Sequence, residues 1–244
     1  MTMKKSSNEK GNKWHGDYGK FVSGPTNKSK TLIIKNNDGV NATVWNESIK
    51  KLDELQQELP QVSKLIKSYN GEGVVIRAES FNPDGVNHTE ALADGDMNPK
   101  TGIISINTNM RLSDKNDIDS IEKACKKSGT FGKFGRTVSS TSPLHTAVHE
   151  YGHVIHLALC CKYNSDKIRI LGDYSTCDTV SDLISMACYR TNTSVSQFQH
   201  SLSAIASKDL SETFSEAVAN AVCAPKENNK TSLELWKIVK EELG

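Results

Sequence analysis

The sequence predicts an α+β fold: a small mixed sheet in the N-terminal half, packed on one long apolar helix, and a helical C-terminal half. Three observations lead to it. Runs suited to short strands occur only before position 108, apolar residues at spacings of three and four dominate from position 142 onward, and no internal repeat divides the chain. The expected organisation is a polar arm at 1–29 followed by one domain at 30–244.

The elements follow in chain order. Residues 1–29 are rich in Lys, Asn, Gly and Ser and read as a flexible arm, which Trp14, Tyr18 and Phe21 could dock in part on the body. TLIIK at 31–35 reads as a strand, and NNDG at 36–39 as a turn. Across 43–69, Val44, Trp45, Ile49, Leu52, Leu55, Leu59, Val62, Leu65 and Ile66 make an amphipathic helix that Pro60 kinks or splits. A strand is expected at 73–79, turns at NPDG 82–85 and NPKTG 98–102, and a second good strand at IISIN 103–107. A helix at 115–127 and a loop at 128–143 come next. Ser142-Pro143 is a helix start signal, a capping serine before a proline at the first helical position, and that helix should run to about Cys161. Further helices are expected near 178–190, 194–206, 210–223 and 231–242.

Bulk properties exclude several classes. The 30 basic and 29 acidic side chains give a net charge of +1, so neither nucleic acid nor an anionic membrane is expected as a partner. No apolar run approaches the roughly 20 residues of a membrane span, and the charged N-terminus has no apolar stretch behind it to make a secretory signal. The six cysteines show no CxxC pair or regular spacing and read as buried reduced thiols. The expectation is synthesis in the cytoplasm.

The segment HTAVHEYGHVIHLALCC at 145–161 carries the chemistry, because His149-Glu150-Tyr151-Gly152-His153 is an HExxH motif. Four residues on a helix of about 3.6 per turn place two imidazoles on one face, where both can reach one ion at the roughly 2.0–2.1 Å zinc requires. Glu150 then projects beside the metal and can take a proton from a water that the metal acidifies. The flanking Val148, Val154, Ile155, Leu157 and Leu159 bury the helix, and polar groups in a buried helix need compensation. His156 lies about 10 Å along the axis from His149, too far to share its ion. His145, one turn before His149, can only support a ligand or lie at the surface.

A catalytic zinc needs a third protein ligand and an open position. In LSETFSEAV at 210–218, Glu212 and Glu216 are four apart on a helix whose apolar face is Leu210, Phe214, Ala217, Val218 and Ala221. Two carboxylates that close repel unless a cation or histidine hydrogen bonds compensate. A metal ligand plus a supporting carboxylate would supply that compensation.

HEYGH followed by SETFSEAVAN resembles the gluzincin metallopeptidases, a group with a zincin-like fold. The likeness is to the peptidase domain of phage minor head proteins and to the catalytic domain of lethal-factor-type toxins. It covers roughly residues 95–223 and includes the approach SSTSPLHTAVHEYGH. It implies that Glu212 is the third zinc ligand and Glu216 the carboxylate that orients a ligand histidine. One position departs from the group: Ile205 stands where a tyrosine often stabilises the oxyanion, and Tyr174, Tyr189 and His200 are the candidate substitutes.

The expected function is zinc-dependent hydrolysis of a peptide or protein substrate, in a virion-associated or delivered peptidase. The alternatives are a phage or mobile-element structural or interaction protein with a zinc-binding, catalytically weakened peptidase fold, and a zinc-stabilised binding module. The strand at 103–107 is read either as a cleft rim that pairs with substrate or as a buried strand.

Overall fold

The computed structural model describes residues 24–79, 95–107, 138–171, 178–227 and 229–244, together with two short strands, β1 (Trp14–His15) and β2 (Phe21–Val22), which pair antiparallel. The helix expected at 115–127, the turn at 82–85 and most of the arm and of the 128–143 loop lie outside the described residues. The architecture is mixed α+β. Strands β3 (Ile33–Asn36), β4 (Val75–Glu79), β5 (Gly95–Asn98) and β6 (Ile103–Asn107) form a sheet of order β3-β4-β6-β5. The first three in that order are parallel, and β5 returns antiparallel on β6.

Between β3 and β4 the chain makes α1 (Ala42–Glu58) and α2 (Pro60–Asn70). Proline at the first position of α2 cannot continue α1, so the single helix expected over 43–69 is two. The Asn41 side chain caps α1 by accepting from Val44 N–H, and Gly71 ends α2 at φ 81°, a left-handed conformation that glycine adopts without a Cβ clash. Asn70 Nδ2 donates to Thr101 O at 2.6 Å and ties the end of α2 to the β5–β6 turn. Leu52, Leu55, Leu59, Ile66, Ile76 and Ile104 are fully enclosed in the core this layer shares with the sheet.

Five helices make up the described C-terminal half: α3 (His145–Leu171), α4 (Thr179–Arg190), α5 (Val195–Leu202), α6 (Leu210–Cys223) and α7 (Lys230–Leu243). Helix α3 is central, touching α1, α2, β5 and β6 on one side and packing most extensively on α6 on the other. It starts two residues after the predicted proline position, because Ser142 caps a turn instead: its Oγ accepts from Leu144 N–H and its carbonyl from His145 N–H. It also runs past Cys161, where Lys162 bonds Glu242 of α7. No helix among the described residues is long and apolar enough to cross a membrane.

Strand β6 is flanked on both sides, by β4 and β5, so it is the buried strand of the two readings and cannot pair with a substrate. The edges are β3 and β5, and the sequence of β5, GDMN, lacks β-branched residues and gave no strand signal.

Candidate metal centre

Helix α3 supplies His145, His149, Glu150, His153 and His156, and α6 supplies Ser211, Glu212 and Glu216. Two local features let the helices meet. At Gly152 a Cβ would stand 2.8 Å from Ser215 Cα, so only glycine allows the backbones this close. Asp209 caps α6 by accepting from Glu212 N–H at 2.8 Å, which fixes Glu212 in the first turn, facing α3.

The structure brings His149, His153 and Glu212 together, with one donor atom from each within 4.8 Å of the others. Glu212 Oε2 lies 3.2 Å from His149 Nε2 and 3.9 Å from His153 Nε2. Ligands of a tetrahedral ion with bonds of about 2.0–2.1 Å stand roughly 3.3–3.4 Å apart, so this donor set fits a small divalent ion. Glu212 keeps 25% of its side chain exposed, while its Oε2, the atom that faces the two imidazoles, is buried.

Glu216 has no exposed side-chain surface. Its Oε1 lies 3.0 Å from His149 Nδ1 and 3.1 Å from His145 Nε2. Its Oε2 accepts from Ser139 N–H at 2.6 Å and from Ser203 Oγ at 3.0 Å. Asn220 donates to Ser139 O and completes the anchor. His145, His149 and Glu216 also converge within 4.8 Å. Both Glu216 oxygens are taken by donors, whereas Oε2 of Glu212 faces the imidazoles of His149 and His153, so the Glu212 cluster is the one with a carboxylate oxygen to offer an ion. His145 is one of the supports of Glu216 rather than a surface residue.

The electrostatics follow from these distances. Burial alone would push the His149 imidazole down, but Glu212 and Glu216 at its two nitrogens outweigh it and hold its pKa up at about 10. Burial and the neighbouring His149 push His153 down to about 3, so its ring is neutral. His156 is pushed to about 3 by burial and by His153. Burial pulls both carboxylates up, but the histidines win: His149 holds Glu212 below the usual range, and His145 and His149 hold Glu216 well below it. Glu150 is buried, near enough for its charge to help raise His149.

Sequence reasoning missed Ser139, Ser203 and Ser211, which contact the site from distant segments. His156 is no candidate ligand: its Nδ1 lies 3.1 Å from Ser211 Oγ. Of the proposed oxyanion donors, Tyr189 is 87% exposed, His200 Nδ1 lies 2.7 Å from Ser196 O of its own helix, and Tyr174 lies outside the described residues. Compared with models of known protein families and with curated proteins, the chain matches none.

Proposed function

We propose that this chain is a zinc-dependent metallopeptidase with a zincin-like fold and a gluzincin ligand set, in which His149, His153 and Glu212 hold the ion and Glu150 is the general base. One observation carries the reading: two imidazoles one turn apart on α3 meet a carboxylate from α6 at distances suited to a shared ion.

When bound, zinc supplies a Lewis acid that polarises the peptide carbonyl and lowers the pKa of water toward about 7. The protein does the rest. Glu150 takes the proton of the attacking water and returns it to the leaving amine. Glu216 Oε1, 3.0 Å from His149 Nδ1, would favour the proton on that nitrogen and so leave the Nε2 lone pair for the ion. Of the two edge strands, β3 and β5, it is β5 that packs on α3, so β5 is the edge that would pair with an extended peptide. The virion-associated or delivered setting rests on the sequence resemblance.

One observation favours a second reading, a structural or interaction protein that holds zinc but catalyses weakly. Ile205 replaces the expected tyrosine, and neither Tyr189 nor His200 is turned to the cluster. Incubation with a peptide library, with and without a chelator, tests the choice. The peptidase reading expects cleavage that chelation stops and added zinc restores. A zinc-loaded protein that cleaves nothing contradicts it and leaves the second reading.

A further inference from the structure

Ser211 opens α6 one residue before Glu212, and its Oγ stands 3.1 Å from Nδ1 of His153 and 3.1 Å from Nδ1 of His156. A serine hydroxyl carries one proton and two lone pairs, so it can accept from one imidazole and donate to the other. The direction is set by the far side of His153. Its Nε2 is the atom that faces Glu212, at 3.9 Å. An imidazole that gives its Nε2 lone pair to a cation carries its proton on Nδ1. That Nδ1–H then donates to Ser211, and the serine proton is left for Nδ1 of His156.

We propose that Ser211 and His156 form a hydrogen-bond relay, His153 Nδ1–H to Ser211 Oγ–H to His156 Nδ1, that locks His153 in the tautomer able to ligate. The inference rests on the ligand set of the proposed function. The reverse order, with His156 donating to serine and serine to His153, puts a proton on His153 Nε2 and turns it toward the carboxylate, where no ion can then be bound. His156 suits the role of anchor. It is 1% exposed, and its ring sits against Phe214 with centroids 6.0 Å apart, so the end of the relay is held by packing. The two candidate ligand histidines are thus supported differently: His149 by the buried carboxylate of Glu216, His153 by a neutral chain of two side chains. His156 and Ser211 are positioning residues, acting on the ion only through His153.

The test has two arms, both on the full chain. Nitrogen-15 NMR of the zinc-loaded protein reads the tautomers directly, with His153 expected as Nδ1–H and His156 as Nε2–H. A proton on His156 Nδ1 overturns the relay. In the second arm zinc affinity is measured by competition with a chromophoric chelator. Ser211→Ala should lower it about 10–100-fold, the range for loss of a group that orients a ligand. Ser211→Thr, which keeps the hydroxyl, should restore most of it. His156→Gln offers an acceptor oxygen and should be milder than His156→Leu, and neither should lower affinity further in the Ser211→Ala background. Ser211 is half-buried at a helix start, so its variants carry the test if those at His156 fail to fold. A parent that takes up no zinc removes the ligand reading itself, whereas a zinc-binding parent indifferent to Ser211→Ala removes the relay alone.

Discussion

Where α1 and α2 cover the sheet, the interior is made of Leu52, Leu55, Leu59, Ile66, Ile76 and Ile104; where α3 meets α6, it contains His145, His149, His153, His156, Glu212 and Glu216. Each enclosed leucine or isoleucine of the first region stabilises the fold by about 1.5–3 kcal/mol. Each buried ion of the second costs several kcal/mol before its partners compensate. The contrast is not simply one of polarity. Asp53 on α1 is also a buried carboxylate, and it accepts from Ser29 Oγ, Thr31 Oγ1 and the backbone N–H groups of Lys30 and Thr31. Those donors tie the segment before β3 to α1, and no histidine is among them. A buried carboxylate with its own donors is a structural tie, whereas one shared between imidazoles is a candidate place for an ion. That difference assigns Asp53 to the scaffold and Glu212 to the site.

Four perturbations sharpen or break the comparison, the largest first. Glu150→Gln should lower kcat by about 10²–10⁴, the usual range for a general base, while zinc content is unchanged. Parent-like turnover in this variant would remove Glu150 from its role.

The stability of chelator-treated protein should fall on both sides of about pH 6.5. His153 and His156 have folded pKa values of about 3, so their contribution is full above 6.5 and is lost as pH falls toward 3. Glu212 and Glu216, also held low, act in the same direction below the carboxylate range. His149, held up at about 10, contributes fully below 6.5, and that contribution is lost as pH rises toward 10. Each histidine bears at most about 1.4 kcal/mol per pH unit inside its window. Urea midpoints against pH read both limbs, and a profile flat from pH 4 to 9 would contradict the charge arrangement at the site.

Gly152→Ala should cost about 3 kcal/mol, the upper range for overpacking, because its Cβ would meet Ser215 Cα at 2.8 Å and push α3 from α6. Zinc affinity should fall with it. Asp53→Ala should cost about 2 kcal/mol through lost hydrogen bonds to a charged group and leave zinc affinity untouched. Thermal unfolding with a parallel zinc titration distinguishes the two, and equal loss of zinc affinity in both variants would erase the distinction between scaffold and site.

The sequence made some of this readable and hid the rest for physical reasons. IISIN is a strand at the predicted residues, and LSETFSEAVANAVC a helix at 210–223, because β-branched alternation and a three-four apolar pattern are local signals. Strand β5 was invisible because GDMN owes its conformation to pairing with β6 across the turn, not to its own side chains. Pro60 announced a break but not its kind. Within the site, His149, Glu150 and His153 were legible from spacing alone, and Glu212 and Glu216 from a second four-residue step. Ser139, Ser203 and Ser211 gave no signal, since each acts through a contact between distant segments. Gly152 was present in the motif, but its reason, the closeness of Ser215, exists only once α3 and α6 are packed.

The most direct measurement is the zinc stoichiometry of the purified chain by metal analysis, beside that of Glu212→Ala. The account predicts one zinc per chain in the parent and a loss of at least about tenfold in affinity in the variant. A parent that holds no zinc, or a variant that holds it as tightly as the parent, would contradict the convergence of His149, His153 and Glu212 on one ion.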